Sequence, residues 1–503
     1  MPRRPSISSF RAFSLDPASP EPLHRQLYDE LRRAILAGRL TSGSRLPASR
    51  ELASVTRVSR NTVLSAYDQL LAEGYIQSRA GSGTYVADAI PESLVPESAP
   101  EAPVLQPGSR PRTLSRRGMR IAETVFVKQE LQPIANAFRP GLPALDHFPM
   151  DIWRRLTDRR LRRASVRMLS YDDPQGYLPL REAIATHLSA ARGARCGPEH
   201  ILIVNGSQQA IDVVTRVLLD EGDSAWMESP GYFAARAAFR AAGVRVVPVP
   251  VDEDGMDVAE GIRRAPDARL AYCTPSHQNP LGVTLSLPRR MALMQWAAAN
   301  GSWVMEDDNA SEYRFEGRPL AALQGIDTSG RVLYAGTFSK VLFSSLRLGY
   351  LVAPTDVVGA LVRARELTDR QTPGLAQAVV ADFMNEGHFA RHIRRMRTLY
   401  ASRLDALRSA IREHASDVLQ MQESQGGMSR VVRLPADVDD ARAAARLLRS
   451  GLQALPLSEY SMGEPVPPAF VLGFTGVDET EIESGVRKMA ETLREHIRES
   501  RQP

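Results

Sequence analysis

The chain has 503 residues, of which 43% are hydrophobic and 24% are charged, so it is long enough for two or more globular domains. It holds no run of about 18 apolar residues, and its basic start is not followed by an apolar stretch, which argues against a membrane span and a signal peptide. Its two cysteines are too few for a disulfide framework or a metal cluster. Composition therefore favours a soluble, cytoplasmic protein without a metal site.

The net charge of +5 is unevenly distributed. Residues 1–87 carry 12 arginines and seven acidic residues, so they hold the whole excess, and residues 88–503 net to zero. A positive field of this kind suits a polyanionic partner for the N-terminal part alone.

The first predicted elements are two helices. In "PLHRQLYDELRRAILAG" the residues Leu23, Leu27, Leu31 and Ile35 recur at helical spacing, which predicts one apolar helix face. The stretch "ASRELASVTR" predicts a second, short helix with Ser49 as its N-cap.

A third helix and a hairpin follow. "SRNTVLSAYDQLLAEGY" predicts a helix capped by Ser59, with an inner face of Val63, Ala66, Tyr67 and Leu70. "YIQSRAGSGTYVAD" alternates around a Gly-Ser-Gly turn and predicts a β-hairpin. Three helices followed by a hairpin indicate a winged helix–turn–helix.

This order of elements predicts a DNA-binding surface. A recognition helix presents its first residues to base edges, the start of the preceding helix suits phosphate, and a small wing tip can approach the backbone closely. An exposed arginine cluster could also do no more than solvate a helix face, but here the charge asymmetry, the helix order and the wing coincide. The predicted DNA-binding residues are Ser49, Arg50, Arg60, Asn61, Thr62, Arg79 and Gly81.

Residues 43–86, "GSRLPASRELASVTRVSRNTVLSAYDQLLAEGYIQSRAGSGTYV", resemble the GntR family of winged helix–turn–helix regulators. The resemblance is specific in "LPASREL", "VSRNTV" and the "GSGTYV" wing. It implies dimeric binding to operators with repeated half-sites. We therefore assign residues 20–87 to a DNA-binding domain.

The composition changes after this domain. Residues 88–117 are rich in proline, glutamate and alanine without periodicity, which predicts a semi-extended linker. From 118 to 500, short β-branched runs alternate with amphipathic helices, which indicates an α/β domain with a mainly parallel sheet. The predicted strands lie in "HILIVNG", "SAWMES", "VRVVPVPV", "RLAYCTP", "SWVMEDDN", "RVLYAGTFS" and "LGYLVAP".

The loop "GTFSKVLFSSLRLGY", residues 336–350, holds Lys340, one of only three lysines in the chain. Arginine cannot be deprotonated in proteins, whereas a desolvated lysine can act as an amine nucleophile. The loop therefore points to imine chemistry. A Schiff base with pyridoxal 5′-phosphate would also need phosphate donors, a carboxylate for the ring nitrogen, donors to the phenolic oxygen and packing on the ring.

Residues suited to each of these needs occur along the domain. Two lie where a helix opens after a strand, one ends a strand, and others occupy turns or flank the lysine. The candidates are Ser207 and Gln208 for phosphate, Tyr232 for stacking, Asn279 for the phenolic oxygen, Asp307 for the ring nitrogen, and Thr337, Ser339 and Arg347 beside Lys340.

The ordered set GSQQ, PGY, NPxG, a strand ending in ED, then T-x-S-K and R-x-G, resembles the fold-type I aminotransferases. Joined to a GntR-type domain, with "TPSHQNPLG" and "EDDNASEYRF", it resembles the MocR/GabR family of bacterial transcriptional regulators over nearly the whole chain. That resemblance implies that Lys340 forms the imine, Asp307 pairs with the pyridinium, and Arg347, Ser207, Gln208 and Thr337 hold phosphate.

The resemblance also implies a partner. Tyr171, in "SYDDPQGYLPLREAI", matches a tyrosine that in related aminotransferases reaches the cofactor phosphate of the neighbouring subunit. The family's architecture is a head-to-tail, domain-swapped homodimer in which each DNA-binding domain lies over its partner's large domain.

Two positions depart from the pattern. The place where family members usually have a tyrosine that donates to the phenolic oxygen reads Asn309, while Asn279 is retained. The strand "PAFVLGFTG" has Val471 and Leu472 where aminotransferases place a carboxylate-binding arginine. Arg430 or Arg433 could substitute, but we interpret both as surface strand residues.

These features lead to a PLP-binding transcriptional regulator that senses the cofactor, another B6 vitamer or a PLP-reactive amine, and that acts on the nucleoid when bound to its operator. One alternative is an active aminotransferase with an appended DNA-binding domain. Another is a DNA-binding protein whose large domain is only a dimerisation scaffold.

Overall fold

The computed structural model describes residues 10, 13, 15–79, 83–88, 113–124, 137–315 and 320–501. The chain divides into two compact units between Arg112 and Thr113. Most of the predicted linker, residues 89–112, lies outside the described residues, and its last residues, 113–117, fall in the larger unit. The boundaries 20–87, 88–117 and 118–500 stay predictions.

The smaller unit is a winged helix–turn–helix. Leu27, Leu31 and Ile35 of the first helix are buried, as its periodicity predicts, and they share one core with Val63 and Leu70 of the third helix. The two strands pair antiparallel. The elements are helices α1 Leu23–Leu36, α2 Ser49–Thr56 and α3 Arg60–Ala72, and strands β1 Ile76–Arg79 and β2 Gly83–Val86.

One of the two predicted helix caps is correct. The Ser59 hydroxyl accepts a hydrogen bond from the backbone N–H of Thr62 at 3.1 Å, so Ser59 caps α3. The prediction for Ser49 is wrong, because the N-cap of α2 is Ala48 and Ser49 is the first helical residue. The Ser49 hydroxyl instead accepts a hydrogen bond from Arg60 Nε at 3.3 Å.

The larger unit is built on an eight-stranded sheet that contains all seven predicted strands. The five strands β9, β8, β7, β4 and β5 run parallel in that order, which makes the sheet mainly parallel as predicted. The others pair antiparallel. The strands are β3 Ile201–Val204, β4 Ser224–Ser229, β5 Arg245–Asp252, β6 Gly255–Met256, β7 Leu270–Cys273, β8 Trp303–Asp308, β9 Val332–Thr337 and β10 Gly349–Val352.

Helices cover both faces of this sheet, which is why most of its strands are buried along their whole length. Met227 and Trp226, adjacent in β4, enter the cores on opposite faces. The helices before and among the strands are α4 Arg116–Glu123, α5 Met150–Arg162, α6 Val166–Leu169, α7 Leu178–Arg192, α8 Ser207–Leu218, α9 Phe233–Ala242, α10 Val258–Arg264, α11 Leu287–Asn300, α12 Leu323–Ile326 and α13 Thr355–Asp369.

The C-terminal part of the larger unit forms a second, antiparallel sheet in the order β11-β12-β14-β13. Two long helices pack on it around a core that includes Tyr400, Phe470 and Leu493. Its elements are α14 Gly374–Asn385, α15 His388–His414, β11 Gln420–Met421, β12 Ser429–Arg433, α16 Asp440–Arg449, β13 Leu455–Pro456, β14 Ala469–Gly473 and α17 Glu479–Ser500.

None of the helices in the described part of the chain combines the length and the apolar character that a membrane crossing requires.

Candidate cofactor site and DNA-binding surface

A cavity of about 660 Å³ opens in the larger unit where the parallel strands end. The carboxyl edge of such a sheet is where α/β folds place their ligands. Most of the predicted cofactor residues line this one cavity, although they come from four separate segments of the chain. They are Ser207, Gln208, Tyr232, Asn279, Thr337, Ser339, Lys340 and Arg347.

Lys340 follows β9 and directs its amine at the backbone of a neighbouring loop. Its Nζ donates to the carbonyl oxygen of Gly141 at 2.9 Å. A Cβ on Gly141 would lie 2.5 Å from this Nζ, so a side chain at that position would push the amine away. Burial, with the nearby Arg139, lowers the pKa of Lys340 to about 8, and Asp307 opposes the shift. The amine is therefore available as a nucleophile near neutral pH.

Asp307 lies in β8 and is 4% exposed. Its Oδ2 accepts a hydrogen bond from the Tyr272 hydroxyl at 2.5 Å. Its Oδ1 has no hydrogen-bond partner among the described residues. Burial raises the pKa of Asp307 to about 6, and the Tyr272 hydroxyl opposes the shift. A buried carboxylate oxygen without a donor fits a protonated ring nitrogen, as pyridoxal 5′-phosphate would supply.

The part of the cavity at the start of α8 suits a phosphate group. Helix α8 begins at Ser207, so its free backbone N–H groups and its dipole favour an anion. Gly206 has φ +94°, a conformation that L side chains rarely adopt. Arg347 donates from Nη2 to the carbonyl oxygen of Asn205 at 2.7 Å, which fixes the guanidinium beside this helix start.

Two asparagines and a tyrosine also line the cavity. Burial raises the pKa of Tyr232 to about 12, so its ring stays neutral and suited to stacking. The backbone N–H of Asn279 donates to the Thr274 hydroxyl at 2.9 Å, and that hydroxyl donates to the buried Glu228 at 2.6 Å. Asn309, the residue that replaces the expected tyrosine, lines the same cavity.

Tyr171 does not join this group. It is 71% exposed, it is not one of the residues that line the cavity, and the guanidinium of Arg370 lies 4.1 Å from its ring centroid. Within one chain, this tyrosine is therefore not part of the cofactor cavity.

The surface interpretation of the two C-terminal arginines is wrong for Arg430 and correct for Arg433. Arg430 is 1% exposed, whereas Arg433, on the same strand, is exposed. The Arg430 guanidinium donates to the carbonyl oxygens of Gly426, Ser429 and Ser424 at 2.7, 2.9 and 3.1 Å. Its donors thus hold a loop in place. Alternation along the strand could have placed it inside, but an arginine in a short strand gave no sign of these carbonyls.

In the smaller unit, the predicted DNA-binding residues Arg50, Arg60 and Asn61 are exposed, and Ser49 and Thr62 are partly exposed. They lie at the starts of α2 and α3, which the hydrogen bond from Arg60 to Ser49 joins.

The wing is described only along its strands. The guanidinium of Arg79, on β1, lies 4.7 Å from the Tyr85 ring centroid and 3.7 Å from an Asp88 carboxylate oxygen. The predicted contact residue at the wing tip, Gly81, lies outside the described residues.

Sequence reasoning missed three residues that shape these sites. Tyr272 and Gly141, which hold Asp307 and Lys340, come from distant parts of the chain, and neither was predicted as a cofactor residue. Arg45 packs where a Cβ on Gly83 would lie only 2.9 Å from its Nε. Only the position of Tyr272 in the strand beside β8 gave a usable signal, through the expected pairing of those strands.

No group of His, Cys, Asp or Glu in the described ranges has the arrangement of a metal site.

Family models match both units. The model described as "Aminotransferase class I and II" matches residues 144–489, and "Bacterial regulatory proteins, gntR family" matches residues 23–86. Together the two matches cover the larger unit and the winged helix–turn–helix.

Relatives share the whole arrangement. The chain is 41% identical to the probable rhizopine catabolism regulatory protein MocR of Rhizobium meliloti, over 94% of each chain. It is 31% identical to the pyridoxine biosynthesis transcriptional regulator PdxR of Corynebacterium glutamicum, over 93% of this chain and 95% of that one.

A solved structure resembles the larger unit. The α-aminoadipate aminotransferase LysN of Thermus thermophilus, complexed with N-(5′-phosphopyridoxyl)-L-leucine, is 30% identical with a TM-score of 0.70. The match covers 76% of this chain and 98% of that chain.

Proposed function

Since the chain belongs to the MocR-type regulators, which join a GntR-type DNA-binding domain to an aminotransferase-like domain, we propose that occupancy of its cofactor cavity controls its affinity for operator DNA. The protein is a transcriptional regulator that binds pyridoxal 5′-phosphate and DNA. The proposal concerns the ligand that is sensed, the homodimeric assembly and the roles of individual residues.

One observation carries the proposal. An amine of lowered pKa and a guanidinium beside a helix start line one cavity, and a buried carboxylate with one oxygen that lacks a donor lies near that amine. The other unit of the chain has an exposed recognition helix. A scaffold that served dimerisation alone would need none of these three groups. Conversely, a protein that only bound the cofactor would not need the basic helix starts.

When bound, the cofactor supplies an aldehyde for covalent attachment and a ring that withdraws electrons. Lys340 provides the attacking amine, and the Gly141 carbonyl orients it. Asp307 would accept a hydrogen bond from the protonated ring nitrogen, while Tyr272 holds its other oxygen. Arg347 and the N–H groups at the start of α8 bind phosphate, with Ser207, Gln208, Thr337 and Ser339 beside them.

A working aminotransferase is the second candidate, and the intact cavity favours it. The absence of an arginine in β14 opposes it, because Val471 and Leu472 cannot bind a carboxylate. Arg430 does not replace that arginine, since it is 1% exposed and its two terminal nitrogens bind backbone carbonyl oxygens. Without this clamp, an amino acid is held less precisely for reaction, so we place sensing ahead of turnover.

On the DNA, Arg60, Asn61 and Thr62 would meet base edges in the major groove. Ser49 and Arg50 would bind phosphate at the start of α2, where no side chain caps the free N–H groups. Arg79 and Gly81 would approach the backbone from the wing. Such a reader acts in the cytoplasm and lies on the nucleoid when bound.

We also propose that the larger units pair as a head-to-tail, domain-swapped homodimer. Val166, Leu169 and Tyr171 are 85%, 80% and 71% exposed, and Leu367, three residues before the Arg370 that covers Tyr171, is 83% exposed. Adjacent large apolar side chains with this exposure are typical of an interface. A second copy on this surface could bring Tyr171 to the neighbouring cofactor phosphate.

The proposed effector is pyridoxal 5′-phosphate, another B6 vitamer, or a small amine or amino acid that reacts with the bound cofactor. If the protein alternates between one arrangement that binds the operator and one that does not, the effector must bind these two arrangements with different affinities. Only then does it shift the equilibrium between them.

The test measures operator affinity of the full-length protein, using a duplex that the protein itself selects from random-sequence DNA. Affinity is compared without cofactor, with saturating pyridoxal 5′-phosphate, and with the cofactor plus a panel of amines. We expect a several-fold change with cofactor in the unmodified protein and none in Lys340→Ala. Unchanged affinity, with Lys340 verified as modified, would contradict the proposal. Rapid stoichiometric conversion of bound cofactor by an amine, without a change in DNA affinity, would favour the enzyme.

A further inference from the structure

We propose that Asp369 is a positioning residue for the phosphate-binding turn, residues 205–208, a role that rests on the function proposed above. Asp369 is the last residue of α13 and does not line the cavity. It would act on the cofactor only through the residues that it holds.

The Asp369 carboxylate joins three side chains. Its Oδ2 accepts hydrogen bonds from Asn205 Nδ2 at 2.6 Å and from Gln209 Nε2 at 2.9 Å. Its Oδ1 lies 3.3 Å from Nε of Arg365, whose side chain is fully buried. The carboxylate is 31% exposed, so these bonds are only partly open to competition from water.

These bonds fix the first residue of the turn at three points. The backbone N–H of Asn205 donates to Gln209 Oε1 at 2.8 Å, and its carbonyl oxygen accepts from Arg347 Nη2 at 2.7 Å. Its side chain is held by Asp369. The N–H groups that would bind phosphate follow directly in the chain, so fixing Asn205 fixes the direction in which they point.

Charge and position predict opposite results when the carboxylate is neutralised. A negative group near a phosphate repels it, so its removal would tighten binding if charge dominated. Arg365 already compensates that charge at 3.3 Å, which makes the repulsion small. Loss of the hydrogen bonds that position the turn would instead weaken phosphate binding. An amide at residue 369 cannot accept from both Asn205 and Gln209 and also face Arg365, so the turn loosens.

The experiment compares two aldehydes that differ only in the phosphate. Full-length protein freed of cofactor is titrated with pyridoxal 5′-phosphate and with pyridoxal, and attachment to Lys340 is followed by visible absorbance. The ratio of the two dissociation constants measures the advantage that the phosphate confers. In Asp369→Asn we expect this advantage to fall about tenfold while the affinity for pyridoxal stays unchanged.

Two further variants separate position from charge and from folding. Asp212→Asn removes one acidic group from α8, where the carboxylate lies 3.7 Å from Arg216 and away from the turn, and we expect an unchanged ratio. Asn205→Ala removes the donor on the other side of the bond and leaves the Arg365–Asp369 pair intact. It should lower the phosphate advantage in the same way, even if Asp369→Asn is poorly folded.

An undiminished phosphate advantage in Asn205→Ala and in folded Asp369→Asn overturns the proposal. Equal loss for both aldehydes also overturns it, because a general structural role would produce that result, and tighter binding of pyridoxal 5′-phosphate by Asp369→Asn would show that charge dominates. Absence of any phosphate advantage in the unmodified protein would overturn the proposed function together with this inference.

Discussion

Arginine supplies nearly all the positive charge in both units, but it occupies different places in them. In the smaller unit, every described arginine is exposed or partly exposed. Among the described residues of the larger unit, six arginines are buried, namely Arg181, Arg192, Arg290, Arg365, Arg403 and Arg430. Composition does not distinguish these two sets of arginines, whereas burial separates an exposed set in the smaller unit from a buried set in the larger unit.

Several of the buried arginines bind backbone carbonyl oxygens or carboxylates of the larger unit. Arg290 donates to the carbonyl oxygens of Leu285, Ala321 and Pro275 at 2.8, 2.8 and 3.0 Å. Arg192 lies 3.1 Å from Asp308, the neighbour of Asp307 at the end of β8. A buried guanidinium that binds carbonyl oxygens or carboxylates in this way is poorly available for an external anion. An exposed guanidinium stays solvated and can exchange water for phosphate.

The largest effect that we expect is on stability, and it should distinguish two arginines on β12, one buried and one exposed. Arg430→Leu removes the donors to three carbonyl oxygens and should lower the free energy of unfolding of the larger unit by about 3 kcal/mol. Arg433→Leu, on the same strand but exposed, should change it by less than about 0.5 kcal/mol. Denaturant unfolding followed by tryptophan fluorescence measures both, and similar losses would remove the distinction between buried and exposed arginines.

In the smaller unit, substitution of an exposed arginine should change DNA binding and not stability. Arg60→Ala should weaken operator binding by about tenfold to a hundredfold and relax the sequence preference, if its guanidinium reads a base. Arg50→Ala, a phosphate contact, should weaken operator and random DNA equally and reduce the salt dependence. Fluorescence anisotropy at several salt concentrations distinguishes them. A change in cofactor absorbance in either variant would contradict the separation of the two roles.

Much of the architecture could be predicted from local patterns. Strict spacing in α1 and the runs of β-branched residues identified the winged helix and seven strands of the main sheet. The position of Ser49 was missed by one residue, because its hydroxyl bonds Arg60 and not the helix backbone, which spacing cannot reveal.

The cofactor site was predictable where chemistry limits the residue type, and hidden where only geometry matters. Lys340 and Asp307 could be proposed because few side chains can form an imine or hold a ring proton. Tyr272, Gly141 and Asp369 act through partners 35 to 199 residues away, so no local pattern marks them. Arg430 was misassigned for a different reason, because its partners are backbone carbonyl oxygens, and these lie close in the chain but are not specified by any side chain.

The buried lysine of the larger unit and the exposed arginines of the smaller unit should also differ in how their functions depend on pH. Attachment needs the neutral amine, and burial lowers the pKa of Lys340 from 10.5 to about 8. The rate of attachment should therefore rise about tenfold between pH 6 and 7 and level off above pH 8, as the absorbance change in stopped flow would record. Operator affinity without cofactor should stay flat from pH 7 to 9, because exposed arginines do not titrate there. A capture rate that kept rising to pH 10 would show an ordinary, solvated lysine.

The smallest effect should separate two asparagines that line the same cavity. Asn279 is held through its backbone by Thr274 and, beyond it, by the buried Glu228, whereas Asn309 follows β8 where the family usually places a tyrosine. Because a fixed backbone gives a hydrogen bond its direction, we expect Asn279 to be the donor to the phenolic oxygen.

Asn279→Ala should therefore shift the visible band of the bound cofactor more than Asn309→Ala, with phosphate affinity similar in both. Equal shifts of the visible band would mean that neither amide is the preferred donor to the phenolic oxygen. The hydrogen bond from the Asn279 backbone to Thr274 would then not decide which of the two amides donates to the phenolic oxygen.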